Sequence, residues 1–224
     1  MKKKMFLFLC ALLPMTAMAQ YEKYIDAAKQ GDVDAQYNVG MYYYRGQGVE
    51  KDLTQALYWF TKAAEQGDDE AQHYVGRFYL LGEGVEKDNS KAVLWFTKAA
   101  EKGRAGAQYD LGTCYYHGNG VAKDIKKAVY WYLKAAEQGH MDAQHEMSLC
   151  YDLGEGVEKD NVKSVYYMRK AAEQGHVRAQ YNLGICLYNG QGVEKNRTEA
   201  VSWFRKAAEQ GHEGAKETLQ ELGL

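Results

Sequence analysis

Apolar positions recur at helical spacing along the chain, and the whole pattern returns every 36 residues. Each period has two segments in which apolar side chains lie three or four residues apart, the spacing of one face of an α-helix. An Ala-Gln pair marks the first segment in five copies: Ala35-Gln36, Ala71-Gln72, Ala107-Gln108, Ala143-Gln144 and Ala179-Gln180. A fixed period of this length predicts helix hairpins that stack on one another.

Glycines and N-cap residues divide each period into two helices. A Gly-x-Gly-Val run, whose first glycine favours a left-handed helix end, starts at Gly46, Gly82, Gly118, Gly154 and Gly190. An Asp or Asn that can accept a backbone N–H at the next helix start follows at Asp52, Asp88, Asp124, Asp160 and Asn196. We therefore expect the first helix near 33–45 and the second from Asp52 to Gly67.

Two recurring residue types indicate how the helices pack. Gly40 recurs as Gly76, Gly112 and Gly184. A glycine inside a helix costs about 0.5–1 kcal/mol relative to alanine, so its recurrence predicts a close helix crossing. On the second helix a tryptophan recurs as Trp59, Trp95, Trp131 and Trp203. Because a buried indole removes a large apolar area from water, we predict that these rings are the main packing anchors.

The period defines five repeats with a half-repeat at each end. The repeats are 32–67, 68–103, 104–139, 140–175 and 176–211. Residues 20–31 match the end of a second helix, and residues 212–224 match the start of a first helix. Terminal helices of this kind cap the apolar ends of a solenoid. We therefore predict an all-α fold, an α-solenoid of five 36-residue helix–turn–helix repeats with half-repeat caps.

These motifs resemble the Sel-one-like repeat family, a relative of the tetratricopeptide repeat. The resemblance is carried by Ala-x-x-x-Val/Leu-Gly, Gly-x-Gly-Val and Ala-Ala-Glu-x-Gly, and it covers nearly all of the chain after residue 19. It implies a right-handed superhelix, with the first helices on the concave face, and an adaptor or scaffold role. One secreted, cysteine-rich branch is described as penicillin-binding or β-lactamase-like. This chain has residues such as Gln108 and Ala100 where that branch has paired cysteines, so its chemistry is not carried over.

Residues 1–19 resemble a signal peptide. Lys2, Lys3 and Lys4 precede an apolar run from Met5 to Leu13, and Ala17-Met18-Ala19 matches a signal peptidase site. The apolar run is too short to span a bilayer, which needs about 20 residues. We expect export to the periplasm or out of the cell, with no membrane span after cleavage.

The charge balance argues against nucleic acid as a partner. The chain has 28 Lys and Arg against 30 Asp and Glu. Removal of Lys2, Lys3 and Lys4 leaves 25 basic residues and a formal charge of −5. Proteins that bind nucleic acid present a basic stripe to the phosphates.

Cysteines and histidines recur at fixed repeat positions, which favours structural roles. Cys114, Cys150 and Cys186 share the position of Tyr42 and Phe78. Neighbouring helices lie about 8–10 Å apart, beyond the roughly 7 Å that a disulfide allows between Cα atoms. Buried free thiols are therefore favoured, with an intermolecular or redox role as the alternative. The stack separates His140, His176 and His212 too widely for one zinc ion, whose bonds are about 2.0–2.1 Å.

Motifs for catalysis and cofactor binding are missing from the sequence. Ser90, Ser148, Ser164 and Ser202 have no lysine three residues later, as acyl-transfer chemistry of the β-lactamase type requires. The Gly-x-Gly runs lack the Gly-Lys-Ser/Thr or third glycine of nucleotide loops. We predict no catalytic, cofactor or metal residues.

First-helix positions that vary between repeats predict a partner-binding surface. Positions equivalent to 35, 36, 39 and 43 stay nearly constant, as stacking requires, whereas other positions are free to match a partner. Tyr, Arg and Met at the variable positions are typical of recognition surfaces, although tyrosines can also simply cover seams between helices. The predicted residues are Tyr37, Met41, Tyr44, Arg45, His73, Arg77, Leu80, Tyr109, Thr113, Tyr116, His117, His145, Leu149, Asp152, Arg178, Tyr181, Ile185 and Tyr188.

The function favoured by the sequence is an exported, monomeric scaffold that binds a peptide or protein segment in a groove. Five repeats at about 10 Å each give room for about 15 extended residues at ~3.3 Å apiece. The alternatives are a β-lactamase-like or penicillin-binding hydrolase and a glycan- or peptidoglycan-binding module.

The fourth repeat departs from the pattern and predicts a softer joint. Ser148 replaces the crossing glycine, Ser164 an alanine, Tyr167 the tryptophan and Met168 the following aromatic residue. Extra atoms at a tight crossing and lost ring area should loosen the packing, and the joint could act as a hinge.

Overall fold

The computed structural model describes residues 18–224, and the regular structure in this range is helical. The predicted signal peptide lies outside the described residues, except for its last two positions. A first helix, α1, is described over 18–29. The others are α2 Val33–Arg45, α3 Leu53–Glu65, α4 Asp69–Leu81, α5 Asn89–Glu101, α6 Ala105–His117, α7 Ile125–Glu137, α8 Met141–Leu153, α9 Asn161–Glu173, α10 Val177–Asn189, α11 Arg197–Glu209 and α12 Glu213–Glu221.

The helices form hairpins, and the hairpins pack in sequence within two compact units. Unit 1 extends to Arg104 and contains α1–α5, and unit 2 extends from Ala105 to Leu224 and contains α6–α12. In every repeat the first helix packs against the second, and α3, α7, α9 and α11 each also pack against the next helix. The all-α repeat architecture predicted from the sequence period is confirmed.

The helix ends agree with the cap residues read from the sequence. Gly46 ends α2 with φ 66° and donates its N–H to Tyr42 O. Asp52 begins α3, and its side chain accepts the N–H groups of Thr54 and Gln55. A left-handed backbone at Gly46 strains any residue with a Cβ, which explains the glycine at this position.

The crossing glycines lie directly under an aromatic ring of the second helix. A Cβ atom added to Gly40 would lie 2.7 Å from the Phe60 ring, and one added to Gly76 would lie 2.5 Å from the Phe96 ring. Real Cβ atoms do not approach other atoms this closely. The predicted close crossing is therefore confirmed.

The ring that anchors each crossing is the residue after the tryptophan, so the prediction for tryptophan was wrong in part. Phe60 and Phe96 are completely buried. Trp59 and Trp203 are also buried, at 8% and 7% exposure, whereas Trp95 and Trp131 are half-buried. The ammonium of Lys98 lies 4.1 Å from the centroid of the Trp95 ring. The Trp95 indole is therefore only partly removed from water, and one of its faces meets a charged side chain.

A pair of glutamines ties three consecutive helices together. The buried Gln36 donates from Nε2 to Ala28 O at 3.1 Å. Its Oε1 accepts Nε2 of Gln66 at 2.8 Å, and Gln66 also donates to Gly31 O at 3.0 Å. The same side-chain pair joins Gln108 to Gln138, Gln144 to Gln174 and Gln180 to Gln210. The constant Ala-Gln pair thus serves stacking, as its recurrence indicated.

The second repeat lacks half of this glutamine pair, and restoring it should stabilise the protein. Lys102 occupies the position of Gln66 and donates to Gly67 O, while Oε1 of the buried Gln72 has no partner among the described residues. An unmade buried hydrogen bond costs about 1–3 kcal/mol. We expect Lys102→Gln to raise the free energy of unfolding by about 1 kcal/mol, measured by urea unfolding. The reverse change, Gln66→Lys, should lower it, and equal effects of both changes would contradict this account.

Candidate partner-binding surface

The predicted residues at one repeat position lie in seams between helices. Tyr109 stacks on His140 at 4.8 Å between ring centroids, and Tyr181 stacks on His212 at 4.4 Å. Tyr37 lies 5.7 Å from the Phe60 ring, and His73 lies 5.8 Å from the Phe96 ring. These four side chains are half-buried. For them the alternative interpretation, that aromatic residues cover seams, describes the packing.

Two other predicted residues are buried, contrary to the expectation of a free surface. Met41 packs into the core of unit 1 with Phe60 and Phe78. His145 is only 7% exposed and stacks on His176 at 4.2 Å. Both positions lie where successive first helices meet, so a long or planar side chain there is covered by the next repeat. We leave Met41 and His145 out of the candidate surface.

The recurring histidines have a structural role that the sequence reasoning missed. The Nδ1 atoms of His140, His176 and His212 accept the backbone N–H groups of Ala143, Ala179 and Ala215 at 3.3, 3.2 and 3.2 Å. They are N-caps, the role that Asp32 and Asp68 have in unit 1. The available signal was recurrence at the residue before each first helix. Histidine is outside the usual set of N-cap residues, so the sequence argument excluded a shared metal site but did not identify the capping role.

The remaining predicted residues of unit 1 lie in the C-terminal half of each first helix. Tyr44 is half-buried and lies 5.8 Å from Tyr74 and 5.9 Å from Phe78, between ring centroids. Arg45 and Arg77 are exposed, and Leu80 is half-buried. Leu81, which follows Leu80, is 54% exposed. The end of α4 therefore presents apolar side chains to solvent.

The remaining predicted residues of unit 2 lie on the first helices α6, α8 and α10. Thr113 and Tyr116 are half-buried, and the Tyr116 hydroxyl donates to Glu155 Oε2 at 2.7 Å. That hydrogen bond, together with burial, raises the pKa of Tyr116 to about 12. His117 and Arg178 are exposed. We define the variable face of unit 2 as Tyr116, His117, Leu149, Asp152, Leu153, Ile185 and Tyr188.

Leu153 is the most exposed apolar side chain of this variable face. It is 62% exposed and ends α8, one residue after Asp152. Leu149, Ile185 and Tyr188 are half-buried. Leu153 is four residues after Leu149 on α8, and side chains at this spacing are neighbours on a helix surface. Exposed apolar area shared by neighbouring side chains is typical of an interaction site.

A cavity of about 210 Å³ opens within the variable face, between α8 and α10. Its apolar lining is Leu149, Met168, Ile185 and Cys186. Its polar lining is Asp152, Asn182 and Gln191. Three of the residues predicted from sequence, Leu149, Asp152 and Ile185, are thus brought together around one concavity.

The cysteines at the base of the first helices are free and poorly reactive. Cys114 and Cys150 are buried, Cys186 is partly buried, and all three are free. Burial raises the pKa of the Cys114 thiol to about 11 and that of Cys150 to about 12. The thiolate is the nucleophilic form, so burial of Cys114 and Cys150 disfavours their reaction at neutral pH. The sequence-based preference for buried free thiols holds for Cys114 and Cys150.

Comparison with protein families finds five matches to the Sel1 repeat. They cover residues 33–68, 69–103, 105–140, 142–176 and 177–212. Comparison with curated proteins gives no match.

Solved structures with the same fold include two bacterial proteins that are at least 35% identical to this chain. One is a protective antigen present in uropathogenic Escherichia coli strains displaying an SLR fold, with 37% identity and a TM-score of 0.85. The match covers 89% of this chain but 44% of that chain, so this chain spans less than half of the antigen's length. The other is a Sel1 repeat protein from Oxalobacter formigenes, with 35% identity, a TM-score of 0.78 and coverage of 92% of this chain and 86% of that chain. With five repeat matches and these two structural relatives, the chain belongs to the Sel1 repeat family.

Proposed function

We propose that this protein is an exported scaffold that binds an extended segment of a partner protein along the ends of its first helices. Sel1 repeat proteins are generally protein-interaction scaffolds. The observation that carries the location is the variable face of unit 2, where the 62%-exposed Leu153 lies one helical turn after Leu149, which lines an open cavity. Water-exposed apolar area next to a concavity is what a partner side chain can cover with a gain in free energy.

The buried titratable groups of unit 2 do not have the arrangement of a catalytic site. The thiols have raised pKa values because they are buried, and His145 has a lowered pKa for the same reason. These shifts belong to packed interior groups, not to a nucleophile beside a base. No helix in the described range is long and apolar enough to cross a membrane. No observation on residues 18–224 favours the hydrolase or the glycan-binding alternative.

The proposal predicts that peptides bind through Leu149 and Leu153. Random 15-residue peptides displayed on phage are selected on the purified protein, and their affinity is measured by fluorescence anisotropy. We expect Leu149→Thr with Leu153→Asn to weaken binding at least tenfold, about 1.4 kcal/mol. Thr113 and Asn189 occupy these two positions in other repeats, so the fold should tolerate both changes.

A matched control lies on a second helix of the same unit. Val162 is 68% exposed in α9, and Thr54 and Thr198 occupy its position in other repeats. Val162→Thr removes exposed apolar area away from the variable face and should leave affinity within about twofold. If the peptides bind less tightly to the Val162→Thr variant but equally well to the Leu149→Thr, Leu153→Asn variant, the binding surface lies on the second helices.

A further inference from the structure

The junction between repeats 1 and 2 is filled by four aromatic rings. Phe60 stacks on Tyr74 with ring centroids 4.8 Å apart. Tyr44 lies 5.8 Å from Tyr74 and 5.9 Å from Phe78. Phe60 and Phe78 also meet edge to face at 5.9 Å. Four rings in mutual contact leave little space between the two first helices.

All four of these rings are replaced at the junction between repeats 4 and 5. Three periods further along the chain, the equivalents of Tyr44, Phe60, Tyr74 and Phe78 are Asp152, Met168, Asn182 and Cys186. Each replacement is smaller than the ring, and all four line the cavity of about 210 Å³. The cavity is therefore encoded in the sequence, as the loss of one aromatic cluster. A single missing side chain does not explain it.

The polar groups around this cavity have no partners of their own. Within residues 18–224 the side chains of Asp152, Asn182 and Gln191 form no hydrogen bond or ion pair. Asp152 is half-buried and close enough to Cys186 to help raise the pKa of that thiol, after the larger effect of burial. A carboxylate that is partly removed from water and unpaired favours a cation beside it.

The walls define the shape of the side chain that could carry this cation. Leu149, Met168 and Ile185 offer an apolar passage that suits a chain of methylene groups. At one side the Asp152 carboxylate can accept two N–H groups, and the amide oxygens of Asn182 and Gln191 can accept others. A guanidinium has five N–H donors in a fixed plane and pairs with carboxylates in a bidentate manner, whereas an ammonium is a more strongly hydrated point charge.

We propose that the cavity between α8 and α10 binds an arginine side chain of the partner segment. This assignment rests on the proposed function, because it names the residue that anchors the partner on the variable face of unit 2. The aliphatic part of the arginine contacts Leu149, Met168 and Ile185, and its guanidinium pairs with Asp152. The unpaired Asp152 carboxylate accounts for the specificity, because an uncharged side chain of the same shape would leave this carboxylate without a partner.

The test is a titration of the ¹⁵N-labelled full chain with small probes, followed by amide chemical shifts. The probes are N-acetyl-arginine methylamide, its uncharged isostere N-acetyl-citrulline methylamide, and N-acetyl-tyrosine methylamide. We expect the arginine probe to shift amides of 149–153 and 182–191 in a saturable manner, with Kd at least fivefold lower than for either other probe. Absence of saturable shifts with arginine, or tighter binding of tyrosine as a replacement for the lost rings, would overturn the assignment.

Variants separate the charge from the shape of the cavity. Asp152→Asn keeps the shape and should raise Kd for the arginine probe at least fivefold. Asp152→Tyr restores the ring present as Tyr44, Tyr116 and Tyr188 and should abolish binding. Glu194→Gln makes the same change in net charge at an exposed turn position and should leave Kd unchanged. Equal Kd for Asp152→Asn and the unmodified protein would contradict the role of the carboxylate.

The two experiments distinguish failure of the arginine assignment from failure of the proposed function. If selected peptides lose affinity on the Leu149→Thr, Leu153→Asn variant while the arginine probe does not bind, only the assignment of the cavity fails. If the arginine probe binds at Asp152 but no selected peptide depends on Leu149 and Leu153, the cavity stands and the extended surface does not.

Discussion

Met168→Phe is expected to lower the free energy of unfolding by about 1–3 kcal/mol, although it restores the residue present in three other repeats. The reason is Ser148, which lies where the other repeats have a glycine and is completely buried. A Cβ atom at the equivalent Gly76 would lie 2.5 Å from the Phe96 ring. Ser148 has both a Cβ and a hydroxyl, so a phenyl ring at position 168 would overlap with it.

Comparison with the glycine–phenylalanine crossing of the other repeats also predicts that Ser148→Gly restores the stability lost in Met168→Phe. The serine hydroxyl donates to His145 O at 2.7 Å within its own helix, so Ser148 is satisfied beside the flexible methionine. Ser148→Gly alone should be destabilising, because glycine costs about 1 kcal/mol in a helix and leaves space under Met168. With both changes the Gly–Phe crossing of the other repeats is restored. We expect a favourable interaction energy of about 1–3 kcal/mol in the double-mutant cycle.

The measurement combines urea unfolding with amide hydrogen exchange resolved by residue, because repeat proteins can unfold in parts. Protection of 143–150 and 161–171 reports on the α8–α9 crossing directly. The reverse cycle in repeat 5, Gly184→Ser with Phe204→Met, serves as the control and should couple with the same sign. Additive effects in both cycles would show that the Ser–Met pair is not a compensating exchange. The expectation of a softer fourth repeat stays a prediction, and the same data compare exchange in 140–175 with that in 104–139.

Helix positions and helix ends could be predicted from the sequence because each depends on local residues that recur. Gly46 and Asp52 define a helix end and a helix start through backbone conformation and one side-chain hydrogen bond. The glycine crossing was equally accessible, since a glycine inside a helix needs a reason and Gly40 recurs. What spacing could not decide is which of two adjacent apolar residues, Trp59 or Phe60, meets that glycine. A difference of one position is 100° around a helix, and both residues are apolar.

The candidate surface was less predictable because variation between repeats has two sources. A residue varies where it meets a partner, but it also varies where two neighbouring residues change together. Tyr109 with His140 and His145 with His176 are paired seam residues of this second kind. The cavity beside Asp152 depends on four replacements at separate positions that meet only in the folded chain. Each is visible in the sequence, but their proximity is not.

Lowering the pH from 7 to 5 should destabilise unit 2, and the stacked pair His145 and His176 should account for most of the difference. The pKa of His145 is lowered to about 4, mainly by burial. The neighbouring His176 and Arg178 also lower this pKa, and together they outweigh Asp142, which raises it. Burial also lowers the pKa of His176, again with Arg178 lowering and Asp142 raising it. The His145 Nδ1 atom has no hydrogen-bond partner among the described residues, so the interior offers the charged imidazole little compensation.

The direction of the change in stability with pH depends on whether the folded or the unfolded state binds more protons. Unfolded histidine titrates near pH ~6.5, whereas His145 in the folded protein stays neutral down to about 4. Between these values the unfolded state is more protonated, so stability is complete above about 6.5 and falls as the pH decreases, by at most ~1.4 kcal/mol per pH unit for each group. Over the whole window the loss from His145 is on the order of 2–3 kcal/mol. Glu146 acts in the opposite direction, because burial raises its pKa and the folded state then holds its proton more tightly.

A variant that removes His145 but keeps the stack isolates its effect from that of Glu146. Tyrosine occupies the equivalent position as Tyr109 and Tyr181, where it stacks on His140 and His212. We therefore expect His145→Tyr to fold and to lose clearly less stability between pH 7 and pH 5 than the unmodified chain, measured by urea unfolding at each pH. His117→Asn removes an exposed histidine in favour of the residue present as Asn189, and it should keep the original pH dependence. If His145→Tyr keeps that dependence too, proton binding by the buried histidine pair is not what makes this unit sensitive to acid.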